Sequence, residues 1–153
     1  MTENGKKTIR DIGFSMLDEG KTIRIRADGY SMFPAIRPGY IIYIEPISAE
    51  EAPVPGEIIA WKRDTGFVVH RLIRIEKDGG RIWYITRGDS CKYEDKPVLK
   101  GQVAGRVIRA EDISAKRNRT GNELVSKPRY LYNRLLVWLI IRLRRLRNIL
   151  KTN

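Results

Sequence analysis

Residues 29–34 read Gly-Tyr-Ser-Met-Phe-Pro, and this stretch is the most informative in the chain. Its glycine and proline bend and stiffen the backbone, so Ser31 between them is presented on a firm turn. The sequence has a single histidine, His70, and acids follow it within 88–91 and at Asp95. A serine, a histidine and an aspartate can supply a nucleophile, its base and the group that orients the base. Each segment alone is also typical of a turn or a buried histidine, so their combination carries the argument.

These segments belong to a longer ordered pattern. It runs Gly29-x-Ser31-Met32-x-Pro34, Pro38-Gly39-Tyr40, Pro55-Gly56-Glu57, Val69-His70-Arg71 and Gly88-Asp89-Ser90-Cys91, with Asp95 at the end. From about Ile23 to Ile108 this order resembles the type I signal peptidases of the serine S26 family, related in fold to LexA-like S24 peptidases. The histidine box is similar to the endoplasmic-reticulum and archaeal branch, whose base is histidine and not lysine. The pattern departs from that branch at Ser90 and Cys91, where the branch has asparagine.

The resemblance implies a role for each box. Ser31 is the expected nucleophile, His70 its base and Asp95 the partner of the base, with Asp89 as the competing partner. The expected supporting residues are Asp89, Arg71 and Gly88. The backbone N–H of Ser31 is the simplest oxyanion donor, and Tyr30 and Met32 are expected beside the substrate. A serine–lysine dyad using Lys62 is the rival arrangement. The implied substrate is an extended peptide with small residues at the first and third positions before the cut.

Length and composition limit the other possibilities. A chain of 153 residues suits one domain with an appendage, and one cysteine excludes an internal disulfide framework. Because the sequence has no His/Cys cluster, we expect no zinc site. We also expect no cofactor. Residues 116–153 hold 11 lysines and arginines against one acid, so this end carries +10 of the net +12. The sequence therefore predicts a nearly neutral body with a basic tail.

Short alternating runs with turn residues between them predict a mainly β, bent, barrel-like domain of the S24/S26 peptidase type. The predicted organisation is a helical segment over 1–21, a β-domain over 22–110, a polar linker over 111–128 and a basic amphipathic helix over 129–153. Predicted strands cover 22–27, 40–44, 57–62, 66–76, 81–86 and 102–110.

The predicted C-terminal helix has leucines on one face, but its longest apolar run is seven residues, against about 20 for a membrane span. We expect it to lie on a membrane surface and to set location, not chemistry. Trp138 and Tyr132 are the predicted interfacial anchors, and Arg142, Arg144 and Arg145 are the predicted contacts to lipid phosphates. Packing on the domain or on a membrane-protein partner is the alternative. Because the first 30 residues lack a long apolar run, the expected location is peripheral, on the cytoplasmic side.

Two function classes follow from these features. The first is a serine endopeptidase resembling signal peptidase I, which acts on a peptide or precursor-protein substrate. The second is a non-catalytic β-domain whose basic tail binds nucleic acid or anionic lipid. The apolar run 135–141 and the scarcity of interleaved aromatic residues argue against nucleic acid.

Overall fold

A computed structural model of the protein describes residues 3–48, 51–63, 66–115, 117–125 and 127–151. Within these residues two helices flank eight strands, and two single turns of 3-10 helix cover Lys100–Gln102 and Gly121–Glu123. The elements are α1 (Glu3–Asp18), β1 (Ile23–Arg26), β2 (Ile41–Glu45), β3 (Ile58–Arg63), β4 (Gly66–Asp78), β5 (Arg81–Arg87), β6 (Val98–Leu99), β7 (Val103–Asp112), β8 (Arg117–Thr120) and α2 (Tyr130–Lys151).

The strands form one antiparallel sheet in the order β1-β2-β7-β3-β4-β5-β6, and β8 pairs with β7 beside that path. In the part of the chain that the structure describes, the first and last strands of the order do not pair with one another, so the sheet is open. Register shifts interrupt three of its ladders, at 43/44, 60/61 and 72/74, and such bulges bend and twist strands. The predicted mainly β fold with a helix at each end is confirmed.

Apolar side chains pack in two clusters, one on each face of the bent sheet. β3 lies in the middle of the sheet and contributes to both, because successive residues of a strand point to opposite faces. Ile58 and Ala60 join the larger cluster, whereas Ile59 joins the smaller one. Leu17 of α1 belongs to the larger cluster, so the N-terminal helix is packed on the body.

The predicted strands agree with β1–β5 and β7 to within two residues at each end. Two short strands, β6 and β8, are absent from the prediction, and the turn residues Asp64 and Thr65 lie outside the described residues. Gly39 and Gly56 adopt φ values of 93° and 102° just before β2 and β3, which is the left-handed region that glycine tolerates best. The two Pro-Gly boxes are therefore tight turns that lead into strands.

The segment predicted as a polar linker, 111–128, contains regular structure. β7 continues to Asp112, residues 117–120 form β8, and Leu124 is only 2% exposed in the larger core cluster. Polar composition concealed this order, because β8 is held by backbone pairing and the segment is anchored by one apolar side chain. This segment leads directly into α2.

α2 faces the body along one side only. Asn133 is buried on that side, and Tyr130, Val137 and Ile140 are partly covered. The opposite side presents a row of exposed apolar residues: Leu131, Leu135, Trp138, Leu139, Leu143 and Leu146. Of the described residues, no helix is both long and apolar enough to cross a membrane.

Candidate active site

The only histidine is paired with the second of the two candidate aspartates. His70 lies in the half of β4 that pairs with β3, and its Nδ1 is 2.6 Å from Oδ2 of Asp95. Thr86, at the end of β5, donates its hydroxyl to the same oxygen at 2.7 Å, and its carbonyl accepts from the Asp95 N–H at 2.8 Å. Two neighbouring strands thus hold the carboxylate against the imidazole.

Burial acts to raise the pKa of Asp95, but the hydrogen bond and charge of His70 and the hydroxyl of Thr86 outweigh it. The pKa of Asp95 is therefore lowered from its ordinary value. Asp95 stays ionised near neutral pH, where its carboxylate can accept a hydrogen bond from the Nδ1–H of His70 and orient the ring.

Asp89, the competing partner of the histidine, is bound elsewhere. Its two carboxylate oxygens accept from Nε and Nη2 of Arg71 at 2.8 and 2.7 Å, and both side chains are about 1% exposed. The remaining nitrogen of the guanidinium, Nη1, donates to the carbonyls of Gly56 and Leu124. This buried fork joins β4, the Gly56 turn, the segment after β8 and the Asp89 loop.

The backbone of Ser31 and the ring of His70 both lie against Gly88. A Cβ built on Gly88 would lie 2.7 Å from the carbonyl oxygen of Ser31, 3.1 Å from Nε2 of His70 and 2.6 Å from Sγ of Cys91. Only glycine fits this contact without displacing a neighbour. Nε2 is the ring nitrogen that Asp95 leaves free, so it faces the glycine against which Ser31 is packed. Within the described hydrogen bonds of this region, none joins Ser31 to His70.

Ser90 holds the backbone of the serine turn. Its hydroxyl donates to the carbonyl of Tyr30 at 2.7 Å, and its N–H donates to the carbonyl of Ser31 at 2.9 Å. The N–H of Phe33 also donates to the Tyr30 carbonyl, at 2.9 Å. In a trans peptide the N–H points away from the carbonyl, so clamping the Tyr30 oxygen directs the Ser31 N–H to the other side. Ser90, which stands where the resembled branch has asparagine, therefore stabilises the serine turn.

A cleft of about 270 Å³ opens next to Ser31. Its walls come from the end of β1, the serine turn and the start of β4. Met32, Ile25, Ile36, Ile42, Phe67 and Val69 supply its apolar lining, while Arg26 and Asp28 add charge. Met32 is thus beside the candidate nucleophile, as expected. Tyr30 is not part of this lining, because its ring lies 6.4 Å from that of Phe33 and beneath Arg144 of α2.

Lys62, the base of the rival dyad, makes its contacts with α1. Its Nζ lies 3.1 Å from Oδ1 of Asp18 and 5.1 Å from the centre of the Phe14 ring, both on α1. This contact ties α1 to β3. The geometry favours His70 over a lysine base.

The residues predicted for the membrane surface do not share one side of α2. Trp138 is exposed, and the guanidinium of Arg142 lies 5.1 Å from its ring centre. Arg145 is also exposed. Arg144 instead lies 5.5 Å from the centre of the Tyr30 ring, on the side of the helix that faces the body.

Sequence reasoning missed two contributors to this region, Thr86 and Asn133. Thr86 is fully buried two residues before Gly88, and only its position at a strand end could have indicated it. Asn133 is 4% exposed and donates Nδ2 to the carbonyl of Asp89 at 3.0 Å. The available signal was an amide at a position where helical spacing turns α2 toward the body.

These features belong to a known class of protein. The family model described as Peptidase S24-like matches residues 2–108, which cover the serine turn, His70, Asp95 and most of β7. The chain is therefore a member of the Peptidase S24-like family.

The similar curated proteins are all of one kind within this class, the catalytic subunit of the signal peptidase complex. The chain is similar to the signal peptidase complex catalytic subunit SEC11C of human, dog (Canis lupus familiaris) and mouse. Each is 36% identical over 75 residues, which is 46% of this chain and 38% of the relative. The match thus spans well under half of these relatives' length. Together with the family it identifies a protein of the signal peptidase-like S24/S26 group.

Proposed function

We propose that the protein is a serine endopeptidase of the signal peptidase type, with Ser31 as nucleophile, His70 as general base and Asp95 as the residue that orients the base. The observation that carries the proposal is the 2.6 Å contact between His70 Nδ1 and Asp95 Oδ2. It leaves Nε2 facing the glycine against which Ser31 packs. Membership in a peptidase family supports the same conclusion.

In the proposed reaction Ser31 Oγ attacks the carbonyl carbon of a peptide bond while His70 Nε2 takes the hydroxyl proton. Asp95 stabilises the imidazolium through Nδ1. The imidazolium then gives its proton to the leaving amine as the C–N bond breaks, which produces an acyl-enzyme. Water, deprotonated by the same imidazole, hydrolyses the ester and restores Ser31. The Ser31–His70 hydrogen bond forms when substrate fills the site, because such bonds are often long in empty active sites.

The negative oxygen of the tetrahedral intermediate would be met by the N–H of Ser31. Its direction is set because the Tyr30 carbonyl, at the other end of the same peptide, is bound by Ser90 Oγ and by the Phe33 N–H. A donor held this way needs no reorganisation as charge develops.

The substrate would bind as an extended strand in the cleft beside Ser31. In β4, residues 66–70 pair with β3 on one side, and pairing with β5 begins only at Arg71. This half of β4 therefore offers backbone groups to an added strand. The apolar lining supports uncharged side chains near the cut, and the resemblance implies that these are small.

The second part of the proposal concerns location. The exposed leucine row of α2, with Trp138 and Arg142 among it, supports attachment to an anionic membrane surface. Apolar burial would hold the helix in the interface and arginines would contact phosphates. The same row makes nucleic acid a poor partner, since a leucine surface would face water there. A membrane-protein partner on this row is the alternative outcome, and the cytoplasmic side stays a prediction.

The test is labelling by a fluorophosphonate, which acylates activated serines. The wild-type protein should be labelled at one serine, Ser31→Ala should not be labelled, and His70→Ala should react far more slowly. Ser15→Ala is the matched control, because Ser15 is an exposed serine on α1 and should not matter. Equal labelling of wild type and Ser31→Ala would show that Ser31 is not the nucleophile.

A further inference from the structure

We infer that Asn133 on α2 is a positioning residue for Ser31, acting through the peptide that joins Asp89 to Ser90. The inference rests on the proposed function and extends it to the C-terminal helix. It makes α2 a part of the active-site framework, beyond the locating role that the sequence predicts.

One peptide unit carries the connection. Its carbonyl, that of Asp89, accepts from Nδ2 of Asn133 at 3.0 Å. Its N–H, that of Ser90, donates to the carbonyl of Ser31 at 2.9 Å. A trans peptide points these two groups in opposite directions, so the unit bridges α2 and the serine turn. Hydrogen bonds linked in this way polarise one another.

Hydrogen bonds also restrain the side chains of both residues that this peptide joins, Asp89 and Ser90. The side chain of Asp89 is clamped by Arg71 within a fully buried ion pair. The hydroxyl of Ser90 is bound to the carbonyl of Tyr30. The remaining motion open to the peptide is rotation about its long axis. The hydrogen bond from Asn133 restricts that rotation.

Two more contacts bring α2 to the same loops. The guanidinium of Arg87 lies 3.7 Å from the centre of the Tyr130 ring while its Nε and Nη2 donate to the carbonyl of Cys91. Arg144 lies over the ring of Tyr30, beside Ser31. The body-facing side of α2 therefore touches both the serine turn and the loop that carries Asp89.

The consequence is geometric. A misplaced reacting group can cost on the order of 100-fold in rate even when the mutated residue is away from the chemistry. Loss of the Asn133 donor frees the Asp89–Ser90 peptide to rotate and lets the Ser31 turn shift relative to His70. The pair of His70 and Asp95 is untouched, because its contacts come from β4 and β5.

The experiment compares Asn133→Asp and Asn133→Ala in the full-length protein with Asn118→Asp, the same chemical change at an exposed residue of β8. Asn133→Asp keeps the shape of the side chain and removes both N–H donors. A carboxylate near the start of α2 also suits the helix dipole, so the helix itself is not weakened. Fluorophosphonate labelling and peptide cleavage are measured well below the melting temperature, with rates normalised to the folded fraction.

The expected result is a fall of about 10- to 100-fold in the labelling rate and in kcat for both Asn133 variants. KM and the midpoint of the pH profile should stay at wild-type values, and Asn118→Asp should behave as wild type. Wild-type labelling rates in folded Asn133 variants would overturn the inference and leave the proposed function intact. A rise in KM with unchanged kcat would also overturn it, by showing a substrate contact. A wild-type protein that neither labels nor cleaves would overturn the proposed function and, with it, this inference.

Discussion

Nδ1 of His70 lies 2.6 Å from Oδ2 of Asp95, and the neighbouring acid, Asp89, is engaged by Arg71 instead. The two aspartates follow the histidine within one short stretch, and both are candidates for its partner in the sequence. Their surroundings give them different tasks, and the expected effects of their mutation differ accordingly.

Asp95→Asn should lower kcat/KM by on the order of 10³-fold or more and leave the fold intact, because the amide has no negative charge and can donate to Nδ1, which favours the wrong His70 tautomer. Asp89→Asn should act mainly on stability. It leaves the Arg71 guanidinium buried without its counter-charge, and breaking such a pair costs about 3–5 kcal/mol. Urea unfolding and peptide-cleavage kinetics separate the two. If Asp89→Asn unfolded at the same urea concentration as the wild type, the stabilising role given to the ion pair with Arg71 would be wrong.

The stability of the wild-type protein should depend on pH through Asp95. Its folded-state pKa is lowered, so the unfolded chain binds more protons in the window just below the ordinary carboxyl value, near 3.9. The contribution of Asp95 is therefore fully present above that value and is lost as pH falls through the folded-state pKa. Melting temperatures of wild type and Asp95→Asn should converge as pH falls into this range. A gap that stays constant from pH 7 to pH 3 would contradict the assignment.

Gly88→Ala should reduce activity more than its size suggests. The added methyl group would meet the backbone oxygen of Ser31 at 2.7 Å, and backbone cannot rotate away as a side chain can. Overpacking of this kind costs about 1–3 kcal/mol and would widen the gap between Ser31 and His70. The measurement is kcat/KM alongside thermal unfolding. Gly101→Ala is the control, because nothing lies within 4 Å of a Cβ at that glycine.

The full-length protein should sediment with vesicles that contain anionic lipid, and salt should release it only in part. Salt screens the arginines but leaves apolar burial in place. Leu139→Asp should weaken binding more than Arg145→Ala, since Leu139 is 45% exposed in the leucine row and the change introduces a charge there. The opposite result would be a protein that does not bind the vesicles but co-purifies with a membrane protein through the same leucine row. That result would show that the row binds a protein partner and not lipid.

Much of the candidate site could be predicted from the chain because its boxes are local. The serine turn, the two Pro-Gly turns and the histidine strand are each encoded by a few adjacent residues, and turn chemistry and strand alternation indicate them directly. The mainly β class and the amphipathic helix follow from periodicity in the same way. β6 and β8 escaped notice because they are short and are defined by the strands with which they pair.

The sequence by itself determined which residue types were available: one histidine, a serine on a stiff turn, two nearby acids and a helix with leucines along one face. Only the tertiary structure decided how they are partnered. The pairing of His70 with Asp95, the capture of Asp89 by Arg71 and the reach of Asn133 to the Asp89 carbonyl join residues 25, 18 and 44 positions apart. Such contacts depend on strand order and on the path of α2 across the body. Local propensity carries no information about either, because hydrogen bonds between distant residues form only when the sheet brings their backbones together.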